Sequence, residues 1–303
     1  MKNKFQQNGA KVQSNGIEIY YETFGKPENP AVLLIMGLDA QCVMWSLNFI
    51  QPIVDAGYYV IRFDNRDIGL STWMTNWQRS KPYTLRDMAA DTEGLLTALN
   101  IKKAHIMGAS LGGMIAQQFV LSYPERVLSL TSIMSTGFML NPDAVPKLST
   151  KILFRFAPFV AKKVKLKNKF LSNKVTVEDY VANFRNLAGT KYPFNETYFR
   201  ELFTWSILER KGQHPKARLQ QFCAIVASGS RLKDLPNIKV PTLILHGTAD
   251  KLIPPIHAKV YAPLIPNATM VWLEGVGHEV PIGAYPQVHP AIFGLFKSVE
   301  KTN

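Results

Sequence analysis

From Lys103 to Ser122 an apolar run gives way to a helix-spaced run across Gly108-Ala109-Ser110-Leu111-Gly112-Gly113. A tight strand-to-helix turn holds its central residue in strained backbone, and side chains two positions to either side collide, so glycine is wanted at 108 and 112. The turn lifts the Ser110 hydroxyl into the open and aims the positive end of the next helix at the space above it. A glycine-rich turn that only packs a helix on a strand has the same letters; the flanking strand and helix argue against it. A phosphate-binding loop is disfavoured because no lysine follows the glycines.

Strand signals at Ile17–Phe24, Ala31–Met36, Tyr58–Phe63, Lys103–Met107 and Val127–Ile133 alternate with helical stretches at Val43–Ala56, Leu85–Leu99 and Leu111–Ser122. The first two strands, joined by the turn cluster Gly25-Lys26-Pro27-Glu28-Asn29-Pro30, read as a hairpin leading into the sheet. Strands return at Pro241–His246 and Thr269–Leu273, and a last helix spans Val288–Val299. This alternation predicts an α/β fold with a mostly parallel sheet covered on both faces. Residues 1–136 and 238–303 form its core, and 137–237 form a helical insertion.

A serine hydroxyl needs a base within reach. Of six histidines, His105 sits in mid-strand, His246 ends a strand, His257 and His289 fall at helix starts, and His214 lies in the insertion with nothing in its spacing to demand it. His278, in Gly275-Val276-Gly277-His278-Glu279 directly after a strand, emerges at the carboxyl edge of the sheet, where open parallel sheets bind ligands. Asp250 leaves the same edge through Gly247-Thr248-Ala249. It suits the carboxylate that fixes the imidazole tautomer, and equally a turn aspartate ahead of Pro254-Pro255.

With these positions placed, the chain resembles the α/β-hydrolase superfamily over nearly its whole length. The resemblance implies a serine hydrolase of the esterase and lipase type, with Ser110, His278 and Asp250 catalytic. It also implies backbone N–H donors from Leu38 and Leu111 for the oxyanion. Met36-Gly37 stands where the superfamily usually has His-Gly, as in a bacterial branch similar to aclacinomycin methylesterase. Arg62-Phe63-Asp64-Asn65-Arg66-Asp67-Ile68-Gly69-Leu70-Ser71 resembles a structural loop of the same superfamily, whose aspartate and arginine bond neighbouring backbone. A triad on this fold serves carboxylic esters, here small to medium and apolar, but also lactones, amides, carbon–carbon bonds or perhydrolysis, and some relatives only sense ligands. Aspartate-nucleophile relatives are disfavoured by Ser110.

The insertion is expected to cap the serine. Met139, Phe154, Phe156, Phe159, Phe184, Tyr192, Phe194, Phe203 and Trp205 are its pocket candidates, with Met139, Phe156, Phe159 and Trp205 foremost. Ordinary packing explains a helical stripe such as Ile152, Phe156, Phe159 and Val160 equally well. No metal or cofactor motif is visible.

A net charge of +13 raises nucleic acid as a partner, but no binding motif accompanies it. The excess clusters between Lys147 and Lys174, and the run Lys162–Lys169 reads first as a solvated face, with contact to anionic membrane or attraction of acidic substrates the less favoured alternatives. With 47% hydrophobic and 19% charged residues the chain is globular. No apolar stretch follows the amino terminus, so a cytoplasmic protein is expected. Cys42 and Cys223 read as buried thiols rather than a disulfide. The sequence leaves the oligomeric state open.

Overall fold

Runs of apolar residues too short for helices make the centre of the molecule. The computed structural model describes Phe5, residues 9–142 and residues 176–300. β3 (Ala31–Ile35) and β4 (Tyr59–Phe63) are buried along their full length, as strands covered on both faces must be. Side chains alternate along each strand. Leu33, Ile35, Ile61 and Phe63 therefore join one core, with Leu85, Met88 and Leu95 of α2 (Leu85–Ala98) and Met114, Ile115 and Phe119 of α3 (Leu111–Ser122). Val32, Leu34 and Val60 join the other, with Phe49, Ile50 and Ile53 of α1 (Leu47–Asp55).

The eight strands run in the order β1-β2-β4-β3-β5-β6-β7-β8, where β1 is Gly9–Ser14, β2 Ile17–Phe24, β5 Ala104–Ala109, β6 Val127–Ile133, β7 Thr242–Gly247 and β8 Ala268–Leu273. β1 pairs β2 and β2 pairs β4 antiparallel, and every other pairing is parallel. This is the α/β-hydrolase fold.

The expected hairpin of Ile17–Phe24 with Ala31–Met36 does not form. β3 lies between β4 and β5, and β2 turns back instead on β1. The reason is visible at Asn15-Gly16, whose φ values of 49° and 77° make the left-handed tight turn that closes antiparallel strands. β1 itself is mostly exposed and carries no apolar alternation.

Between β6 and β7 the described residues include α4 (Val177–Leu187), α5 (Glu196–Leu208) and α6 (Ala217–Ser228). Their apolar residues Tyr180, Val181, Phe199, Leu202 and Phe203 pack on Cys42, Val43 and Phe5. Past α5, Arg210 reaches the core: its Nη1 lies 2.8 Å from Asp64 and 2.7 Å from Gln41 Oε1. The Asp64 carboxylate also accepts from the Cys42 and Leu70 N–H groups, so the loop after β4 does serve to bond neighbouring backbone. α7 (Ile256–Tyr261) follows β7, and α8 (Tyr285–Glu300) closes the chain against the sheet. Among the described residues no helix is long and apolar enough to cross a membrane. Phe154, Phe156, Phe159 and the run Lys162–Lys169 lie outside the described residues. Cys42 is buried, whereas Cys223 is only half-buried, because its helix turns that side towards solvent.

Candidate active site

Ser110 follows β5 directly and opens α3 with φ 56° and ψ −119°, a conformation that L-residues rarely adopt. The flanking glycines make it possible. A Cβ on Gly108 would stand 2.1 Å from the Gly112 carbonyl oxygen, and one on Gly112 would stand 2.0 Å from that of Ile35.

Asp250 and His278 arrive from the carboxyl ends of β7 and β8. Asp250 Oδ1 accepts from the N–H groups of Leu252 at 2.8 Å and Ile253 at 2.9 Å, which fixes the carboxylate. Its Oδ2 lies 2.7 Å from His278 Nδ1, so the aspartate is a turn residue and a histidine partner at once. Nδ1–H donates to that carboxylate, which leaves Nε2 as an acceptor for the Ser110 hydroxyl, 2.9 Å away. The His278 N–H donates to Leu187 O at 2.8 Å, tying this loop to the end of α4. Sequence reasoning singled out three residues spread over 168 positions, and the fold joins them in one hydrogen-bonded chain.

Gly37 brings the Met36–Asp39 loop against the serine: a Cβ there would lie 3.1 Å from Ser110 Cβ. Asn65 holds the loop by donating to Met36 O at 3.0 Å. The next N–H, from Leu38, and the first of α3, from Leu111, form no hydrogen bond among the described residues.

Four of the other histidines are buried and occupied in the core. His105 shares a hydrogen bond with Ser129 and His257 with Thr136, and burial pushes each ring down to about 4. His246 and His289 donate to the carbonyls of Ile253 and Phe49. His214 accepts from the Lys216 N–H.

Ser110 and His278 open into a cavity of about 590 Å³, lined mostly by apolar side chains that include Met44, Phe49, Phe184, Tyr192, Phe194, Leu202 and Phe203. Two of the foremost candidates lie elsewhere. Trp205 stacks on Phe5 at 5.6 Å with Arg210 over its face, and Met139 packs against the core on the α3 side of the sheet.

Among the cavity residues that the sequence did not single out are Glu279, beside His278, and the hydroxyl-bearing Ser46, Tyr198 and Tyr285. Glu279 was visible as a carboxyl next to the histidine, but nothing in its spacing marked it. Asp39 was missed as well. Held at φ 60°, it donates its N–H to Gln221, and its carboxylate takes Tyr180 Oη, Gln213 Nε2 and Arg218 Nε at 2.9, 3.2 and 2.8 Å.

Comparison with known proteins agrees with this architecture. The family described as "alpha/beta hydrolase fold" matches residues 30–285. Rhodomycin D methylesterase DnrP of Streptomyces peucetius is 27% identical over 290 residues, covering 93% of this chain and 95% of its own. Pimeloyl-(acyl-carrier protein) methyl ester esterase of Aeromonas hydrophila is 25% identical over 273 residues, covering 89% and 96%. The structure of a thermophilic esterase from Thermogutta terrifontis superposes with a TM-score of 0.73 at 23% identity, covering 97% and 99%, and this likeness speaks for the fold alone. By sequence and architecture together, this chain belongs to the α/β-hydrolase fold family.

Proposed function

We propose that this protein is a carboxylic ester hydrolase acting through an acyl-enzyme, with Ser110 as nucleophile, His278 as general base and acid, and Asp250 as the group that holds the imidazole. The observation that carries this reading is the hydrogen-bonded chain from Asp250 through His278 to Ser110 at an apolar cavity. Ser110 Oγ attacks the ester carbonyl carbon as its proton passes to His278 Nε2. The tetrahedral oxyanion takes the N–H groups of Leu38 and Leu111, and the proton returns to the departing alcohol oxygen. Water then attacks the acyl-enzyme in the same sequence and releases the acid.

The apolar lining suits small to medium apolar esters, and the relatives named for methyl ester cleavage favour a small alcohol on the leaving side. Residues 137–237 serve in this reading as a cap whose α4 and α5 close the cavity over the serine. Hydrolysis of p-nitrophenyl esters from acetate to long acyl chains, by the wild type and by Ser110→Ala, tests it. Release that vanishes in the variant is expected, and the chain-length optimum sizes the cavity. A folded wild type inert on every ester moves the site to another reaction of this fold or to ligand sensing.

A further inference from the structure

One carboxyl group in the cavity has no work in ester cleavage. Glu279 follows His278 and lines the same space, yet it forms no hydrogen bond or ion pair among the described residues. The other charged pair on the wall, Asp39 and Arg218, is joined in its own ion pair. Hydroxyls from three separate elements line the same cavity. Ser46, at the start of α1, lies 3.0 Å from Tyr285 Oη of α8, and Tyr198 of α5 lines the same space. Burial pushes the Glu279 carboxyl up to about 7. A half-buried carboxyl at an apolar cavity, unpaired among the described residues, is stabilised by a ligand group that donates to it.

We propose that Glu279, together with Ser46, Tyr198 and Tyr285, forms a polar subsite that takes a hydrogen-bond-donating group of the substrate, best a protonated amine, on an otherwise apolar ester. This rests on the esterase reading and adds the substrate's second recognition element. A site built to bind a donor discriminates against the analogue lacking it far more strongly than an apolar pocket discriminates by size.

The test compares p-nitrophenyl ω-aminoalkanoates with alkanoates one carbon longer, in which a methyl replaces the ammonium, at pH 8 in wild type and Glu279→Gln. The quantity read is the ratio of kcat/KM for amine over alkyl within each protein, which cancels any general effect of the substitution on His278. A ratio of about tenfold or more in the wild type that drops to about threefold or less in Glu279→Gln is expected. Calorimetry of hexylammonium against hexanol, on Ser110→Ala and on Ser110→Ala with Glu279→Gln, reads the same subsite without turnover and without assuming which side of the ester carries the amine. Amine binding that depends on Glu279 in a protein that cleaves no ester supports the subsite and sinks the esterase reading. Esters cleaved with no amine preference, and equal binding of amine and alcohol, overturn the subsite and leave the esterase reading standing.

Discussion

Asp250→Asn separates the two tasks of one carboxylate. The N–H groups of Leu252 and Ile253 both point at Oδ1. An amide put there has to keep its oxygen on that side, because the flipped amide would set two donors against two donors. Its NH2 then occupies the place of Oδ2, 2.7 Å from His278 Nδ1. A donor facing Nδ1 requires that nitrogen to be bare, so the ring proton moves to Nε2, which then donates to Ser110 instead of accepting from it. In serine proteases the same inversion lowers kcat about 10⁴-fold, equivalent to about 5.5 kcal/mol of transition-state stabilisation. The turn bonds survive, so thermal stability should stay within about 1 kcal/mol of wild type. Asp250→Ala instead strands both N–H groups, that of Ile253 in a residue only 1% exposed, and should lose about 1–3 kcal/mol of stability as well as activity. Steady-state rates on the best p-nitrophenyl ester and melting curves of both variants provide the check. A folded Asp250→Asn with activity within tenfold of wild type would refute the argument that this carboxylate sets the tautomer.

Gly112→Ala drives a methyl to 2.0 Å from the Ile35 carbonyl oxygen at the end of β3 and should cost about 3 kcal/mol or more, measured by chemical denaturation. Asp39→Ala removes the carboxylate that ties the loop before Cys42 to Tyr180, Gln213 and Arg218. With the Leu38 N–H no longer held in place, kcat should fall about tenfold or more with the smaller change in KM, measured by steady-state kinetics. His105 is held down to about 4 in the fold against about 6.5 when unfolded. The unfolded chain therefore takes up that proton first, and stability present above pH 6.5 is lost on acidification towards 4 at up to about 1.4 kcal/mol per unit. His105→Gln should flatten this slope by one proton in denaturation series across pH. Glu279 works in the opposite sense: held up to about 7, it gains relative stability as pH falls from 7 towards its usual 4.5. Glu279→Gln should accordingly steepen the acid loss.

What could be read in the sequence follows from whether a constraint is local. Gly108 is demanded by a backbone collision within the turn itself, and Gly112 by the neighbouring end of β3; the Gly-x-Ser-x-Gly spacing between an apolar run and a helix made the turn legible, and β7 and β8 displayed enough apolar character to put Asp250 and His278 at their carboxyl ends. The pairing of β2 was not misread for want of information, since Asn15-Gly16 is a two-residue hairpin signal; β1 escaped because an exposed strand such as Gly9–Ser14 has no apolar alternation. Trp205 shows a second kind of miss. Phe199, Leu202, Phe203 and Ser206 line the cavity at the i, i+3, i+4, i+7 spacing of one helix face. Trp205, two positions beyond Phe203, is turned about 200° away from it, towards Phe5 and Arg210. Aromatic character suggested a pocket, whereas the helical period already excluded it. Partners across long separations are a different matter. Asp39 and Arg218 stand 179 positions apart, and nothing in the local pattern of either announces the other. An unpaired state is more distant still, since it depends on what fails to arrive from every other element. Glu279 looks in sequence like any acid beside a histidine, and only the arrangement of α1, α5 and α8 brings hydroxyls, and among the described residues no cation of their own, to the cavity it lines.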